Sequence, residues 1–149
     1  MAKLQLTKDF SEFLRSLDSH GVEYLLVGGY AVGYHGYPRA TGDMDIWVHR
    51  TPDNARRLVS AFKEFGFNVP ELSENLFLER HQVIRMGVPP NRIEVLTDPS
   101  GVTFADCYAE RIEVPVKGMS VKVISLMHLK ANKKAAGRHK DLADLENLP

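Results

Sequence analysis

Apolar and polar positions along this chain follow two periods, and the period changes where glycine, proline or a hydroxyl residue intervenes. Phe10, Phe13, Leu14 and Leu17 recur at helical spacing in TKDFSEFLRSLDSHG, with Thr7 placed to cap the helix and Gly21 to stop it. VEYLLVGG is a short apolar run closing on two glycines, which predicts a buried strand. Residues 30 to 36 suit a helical turn or short helix, and DMDIWV alternates like a second strand. Thr51 or Asp53 can cap a helix reaching Phe65, with Leu58, Val59 and Phe62 on its inner side. HQVIRMG and RIEVLTD read as two strands joined by the turn GVPPN. GVTFADCYAE suits a short helix or turn, and IEVPVKGMSVKVIS a hairpin about Lys117 and Gly118. Ser125 can cap a helix ending at Gly137, and KDLADLENL makes a last one. The order α-β-α-β-α-β-β-(α)-β-β-α-α predicts an α/β or α+β layered fold, a mixed β-sheet flanked by helices.

Composition narrows the function classes. A chain of 149 residues is the size of one domain, and 44% hydrophobic content argues against disorder. Lys plus Arg equals Asp plus Glu at 19 each, so any contact with a polyanion must come from a local patch. Cys107 is the one cysteine, which excludes an internal disulfide; we read it as a small, semi-buried side chain in a reducing compartment. MAKLQLTKDF lacks an apolar leader core, and no run reaches the ~18 apolar residues of a membrane span. The expectation is a soluble, cytoplasmic protein.

The chemistry concentrates in GGYAVGYHGYPRATGDMDIWVHR, residues 28 to 50. Successive side chains of a strand point to opposite faces, so Met44, Ile46 and Val48 share one face and Asp43, Asp45 and Trp47 the other. Two residues of strand rise place the carboxylates ~6.5–7 Å apart along the backbone. Like charges held so close on a half-buried surface raise each other's pKa unless a cation lies between them. Oxygen ligands suit Mg²⁺ or Mn²⁺. Glu94 alternates with Ile93 and Val95, so it joins Asp43 and Asp45 if its strand lies beside theirs. Gly28 and Gly29 follow a strand and precede a helical stretch, where a backbone without Cβ atoms can approach a phosphate.

VGGYAVGYHGYPRATGDMDIWV resembles the signature of the nucleotidyltransferase superfamily, the polymerase-beta-like fold. More narrowly, RATGDMDIW, PPNRIEVLTDPSGVTF and LKANKKAAGRHKDLADLENL resemble small bacterial nucleotidyltransferases of the abortive-infection toxin type. The resemblance runs from about residue 20 to 148 and implies a single, minimal nucleotidyltransferase domain spanning residues 1–149. It also implies that Gly28 and Gly29 contact a triphosphate, that Asp43 and Asp45 bind metal, and that Glu94 is the third acidic residue, near the acceptor hydroxyl. The narrower group more often has aspartate where this chain has Glu94. It has a lysine at the place of Lys133, and an arginine and aspartate at Arg138 and Asp141.

Other residues keep two readings each. Arg39 either contacts a phosphate or forms a loop salt bridge, and Thr41 either orients the loop or is a turn hydroxyl. Tyr30, Tyr34 and Tyr37, with His35, can stack on a base, or the rings can cover the seam between helix and sheet, their more ordinary use. Lys130, Lys133, Lys134, Arg138 and Lys140 form a basic run that is either a solvated face or a source of charge for the triphosphate, Lys133 above all. Asp141 suits a cap or ion pair at the start of the last helix. His81, His128 and His139 show no ligand spacing, and Trp47 either lines the pocket or caps the sheet edge. The expected activity is transfer of a nucleoside monophosphate from a triphosphate to a hydroxyl of RNA, protein or a small molecule, releasing pyrophosphate. At this length, a partner protein or a second copy would help to hold the acceptor. The alternative is a non-catalytic binding module, such as one half of a toxin–antitoxin pair.

Overall fold

Hydroxyl side chains start three of the helices. In this computed structural model, which describes residues 4–149, Thr7, Thr51 and Ser125 each accept a hydrogen bond from a backbone N–H of the first helical turn, all at 3.2 Å. They open α1 (Lys8–Ser19), α3 (Pro52–Phe65) and α5 (Leu126–Ala136). Thr51, not Asp53, is the cap of α3. Gly66 and Gly137 take left-handed conformations at the ends of α3 and α5. Residues 1–3, part of the segment read above as lacking a leader, lie outside the described residues.

The other elements among the described residues are β1 (Tyr24–Val27), α2 (Gly28–Tyr34), β2 (Asp43–Val48), β3 (Val83–Met86), β4 (Arg92–Leu96), α4 (Phe104–Ala109), β5 (Ile112–Val116), β6 (Met119–Val123) and α6 (His139–Asn147). The strands form one mixed sheet in the order β3-β4-β2-β1-β6-β5. β2 runs antiparallel to β1 and parallel to β4, whereas β6 runs parallel to β1. Lys117 and Gly118 both have positive φ, at 49° and 81°, which matches the right-handed twist of the β5–β6 hairpin. No helix among the described residues is long and apolar enough to cross a membrane.

Packing follows the strand alternation. Met44, Ile46 and Val48 are fully buried, as are Leu26 and Val95 on the neighbouring strands. The same core takes in Phe10, Phe13, Leu14 and Leu17 of α1, each contributing roughly 1.5–3 kcal/mol on burial. Phe13 meets Phe62 and Phe65 of α3 edge-on, with ring centroids 5.6 and 5.1 Å apart. Three details depart from the sequence reading. The short helix begins at Gly28 rather than residue 30. A 3₁₀ turn at Glu74–Phe77, unmarked in the sequence, seats Phe77 against Phe62 at 5.0 Å. The basic run is divided by Gly137, so Arg138 caps α6 and Lys140 lies within it.

Candidate active site

The parallel pairing of β2 with β4 sets the site. Asp43 stands opposite Arg92 and Asp45 opposite Glu94, all four on one face by strand alternation. Carboxylate oxygens of Asp43, Asp45 and Glu94 lie within 4.8 Å of one another. The three acidic residues thus converge, because β4 lies beside β2 with their carboxylates on the same face.

Their environments differ. Asp43 accepts a two-pronged hydrogen bond from Arg92, 2.7 Å from Nε and 3.0 Å from Nη2. That contact holds its pKa below the ordinary carboxylate value. Glu94 Oε1 is shared by Arg85 at 3.2 Å and Arg92 at 3.3 Å. Asp45 has no ion pair or hydrogen bond to its carboxylate among the described residues. Burial, then the charges of Glu94 and Asp43, push its pKa up to about 6. A divalent cation fits this donor set. Hard oxygen ligands face one another, and one carboxylate carries an uncompensated burial penalty that a cation would remove.

The glycines shape the wall beside Asp45. A Cβ on Gly28 would lie 2.0 Å from Asp45 Oδ2, and Gly28 has a φ of +66°. A Cβ on Gly29 would lie 2.8 Å from Thr41 Oγ1. Thr41 in turn donates to the carbonyl of Asp43 at 3.1 Å, so it orders the loop entering β2. These residues border an open cleft of about 410 Å³. It is also lined by the loop of Asp98, Pro99 and Ser100 and by α5, tied together by Asn132 donating to the Ser100 carbonyl at 2.9 Å. Glu94 is not part of the cleft lining; Arg85 and Arg92 cover it.

The cations of the cleft divide into committed and free. Lys133 is buried, with Nζ 3.2 Å from Asp141 and 3.0 Å from Asp144. Arg39 grips both oxygens of Asp144, at 2.8 and 2.9 Å. Burial would raise the pKa of Asp144, but these two cations outweigh it and hold it low. Arg39 and Lys133 line the cleft, yet their charges are spent on α6. Arg138 pairs with Asp141, whose carboxylate also accepts from the Arg138 backbone N–H as a cap. Lys140 lines the cleft and forms no ion pair among the described residues, although its charge is felt at both Asp43 and Asp45.

The aromatic candidates serve packing. Tyr30 meets Phe10 edge-on at 5.5 Å, and Tyr34 and Tyr37 lie against the core. His35 bonds the Ile124 carbonyl at 2.7 Å. Trp47 is buried, donates to the Thr97 carbonyl at 3.0 Å and packs on Phe104. His81 lines a separate hollow with Phe104, His128 sits at the Ser125 cap and His139 opens α6. Cys107 is buried and its thiol pushed up to about 11. Sequence reasoning passed over Arg92, Arg85 and the special position of Lys140. Strand alternation already put Arg92 on the face of Glu94. The position of Arg85 needed the hairpin register, and the freedom of Lys140 needed the tertiary pairing of its neighbours.

No protein-family model matches the chain, and no curated protein sequence matches it. Among solved structures, the fold is similar to that of a "putative nucleotidyltransferase" from Thermotoga maritima. The TM-score is 0.61 over 91% of this chain and 87% of that one, at 17% sequence identity. At that identity the likeness is one of fold: the six-stranded mixed sheet and its helices form an α+β architecture shared with that neighbour, and the acidic cluster on it is a group able to hold a metal ion.

Proposed function

We propose that this chain is a single-domain, metal-dependent nucleotidyltransferase. The observation that carries the reading is the meeting of Asp43, Asp45 and Glu94 beside the paired glycines, on a fold like that of the Thermotoga neighbour. Asp43 and Asp45 would hold Mg²⁺ or Mn²⁺, and Glu94 would complete the set on release from its arginines. The ion, when bound, supplies charge neutralisation for a triphosphate and lowers the pKa of an attacking hydroxyl. Gly28 and Gly29 leave room for the phosphates beside Asp45. Lys140, which lines the cleft and pairs with no carboxylate among the described residues, is the side chain we assign to meet them. Arg39 and Lys133 act at one remove, by fixing the loop and α6 around the cleft, and Thr41 steadies the entrance to β2. In the reaction, the acceptor oxygen bonds to the α-phosphorus as the bond to the bridging oxygen breaks. Pyrophosphate leaves with that electron pair, and Glu94 takes the hydroxyl proton.

The acceptor classes remain RNA, protein or a small molecule, held here with a partner protein or second copy. The narrower toxin-type resemblance and a cytoplasmic setting belong to the same reading. Incubation of the protein with labelled ATP, CTP, GTP or UTP, Mg²⁺ and total cell RNA and protein tests it. Label moving to one acceptor class, and lost in Asp45→Asn, is the expected result. A protein that binds metal and triphosphate but labels nothing is instead the non-catalytic module of a toxin–antitoxin type.

A further inference from the structure

Arg92 sits where the acidic cluster needs a positive charge. Its guanidinium takes both oxygens of Asp43 and reaches Glu94 Oε1 with the same Nη2, at 3.0 and 3.3 Å. The pairing register makes this contact local: Arg92 stands directly opposite Asp43 across the parallel ladder. Arg85, opposite Glu94 on the other side, completes the cover. The result divides the carboxylates. Two are neutralised by arginine, and Asp45, deeper and open to the cleft, is not. A divalent ion shared by all three would stand beside a guanidinium already bonded to two of its ligands, and like charges so close repel. The Arg92 side chain is 32% exposed, so its long stem can turn toward solvent without disturbing the core.

We propose that Arg92 is a built-in counter-cation that occupies Asp43 and Glu94 in the metal-free protein and must be displaced before an ion can bridge the three carboxylates. It is a positioning residue that sets the metal affinity of the site, and this inference rests on the metal-dependent reading given above. An ion would enter from the cleft at Asp45, and the exchange of guanidinium for ion would uncover Glu94.

The test is a Mn²⁺ titration without nucleotide, following the electron paramagnetic resonance of free Mn²⁺. The wild type is compared with Arg92→Met, which keeps an apolar stem, and with Arg92→Lys, which keeps the charge without the fork. Arg92→Met is expected to bind Mn²⁺ about fivefold more tightly, the scale of a partly exposed ion pair, with Arg92→Lys between it and wild type. Its melting temperature without metal falls below that of wild type, and the gap closes at saturating Mn²⁺. In wild type, the Arg92 Nε–H resonance is expected to move on adding Mg²⁺. Equal or weaker Mn²⁺ binding by Arg92→Met overturns the inference alone, as does a melting gap that metal leaves unchanged; both describe a cross-strand salt bridge and nothing more. An unmoved Arg92 resonance at saturating Mg²⁺ overturns it without need of a folded variant. Absence of Mn²⁺ binding in wild type and variants alike overturns it together with the metal-dependent function.

Discussion

Gly28 shows how one residue can be required twice. Its φ of +66° suits a residue without Cβ, and its Cα faces Asp45 Oδ2 so closely that a Cβ would lie 2.0 Å away. Gly28→Ala is therefore expected to destabilise the fold by about 1–3 kcal/mol, as a strained left-handed residue does, or to push Asp45 out of the cluster. Urea denaturation with and without Mn²⁺ checks both results. Asp45 yields a second prediction. Its pKa is raised from 3.8 to about 6, so between those values the metal-free native state binds more protons than the unfolded chain. The stabilisation is present below pH 4, is lost as pH rises through 6, and is flat above. Asp45→Asn stays neutral throughout. It should be more stable than the wild type at pH 7–8 by about 1–3 kcal/mol, with a shallower fall in melting temperature from pH 4 to 6 and no response to Mn²⁺. Asp43, its pKa lowered by Arg92, acts in the opposite sense and only below its ordinary value, so the two windows do not overlap.

At the scale of elements, α6 is held to the body of the protein by charge as well as by packing. Lys133 from α5 and Arg39 from the loop before β2 meet Asp144, and Lys133 also meets Asp141. Both aspartates are almost fully buried, so removing Lys133 leaves two buried carboxylates with one cation each, Arg138 for Asp141 and Arg39 for Asp144. Lys133→Met is expected to cost about 3–5 kcal/mol, measured by urea denaturation. A loss of that size in the absence of any ligand marks Lys133 as the clamp between α5 and α6. An undiminished stability with weakened triphosphate binding would restore it as a direct phosphate contact. Lys140→Ala should do the reverse. It leaves the unfolding free energy within about 0.5 kcal/mol of wild type, as surface changes do, and weakens triphosphate binding.

At the scale of the whole molecule, the charges balance at 19 of each sign, yet they are unevenly placed. The cleft gathers the carboxylates of Asp43, Asp45 and Asp98 together with the cations of Arg138 and Lys140, a mixture that suits a metal–triphosphate pair better than either alone. Mn²⁺ and a triphosphate added together should therefore stabilise more than the sum of each. At 100 times the dissociation constant, the gain is about 2.7 kcal/mol, or roughly 5–10 °C in melting temperature for a chain of this size. Thermal melts with each ligand alone and both together measure it. A response no larger than the single additions would leave the cleft without its nucleotide.

The chain's own pattern determined most of the elements and one face of the site. Helical spacing in α1 and α3, hydroxyl caps at Thr7, Thr51 and Ser125, and strand alternation in DMDIWV and RIEVL are local properties, fixed by backbone geometry within a few residues. They placed Asp43 and Asp45 together, and Glu94 on the matching face of its strand. Tertiary structure alone decided that β4 lies parallel to β2 in the register that sets Glu94 against Asp45 and Arg92 against Asp43. It also decided that Lys133 is buried in ion pairs while Lys140 is not. A side chain's partners come from segments about 50 or 105 residues away, as for Asp43 with Arg92 and Arg39 with Asp144. Local periodicity carries no information across such distances, because it is packing of the whole sheet and its helices that brings those segments together.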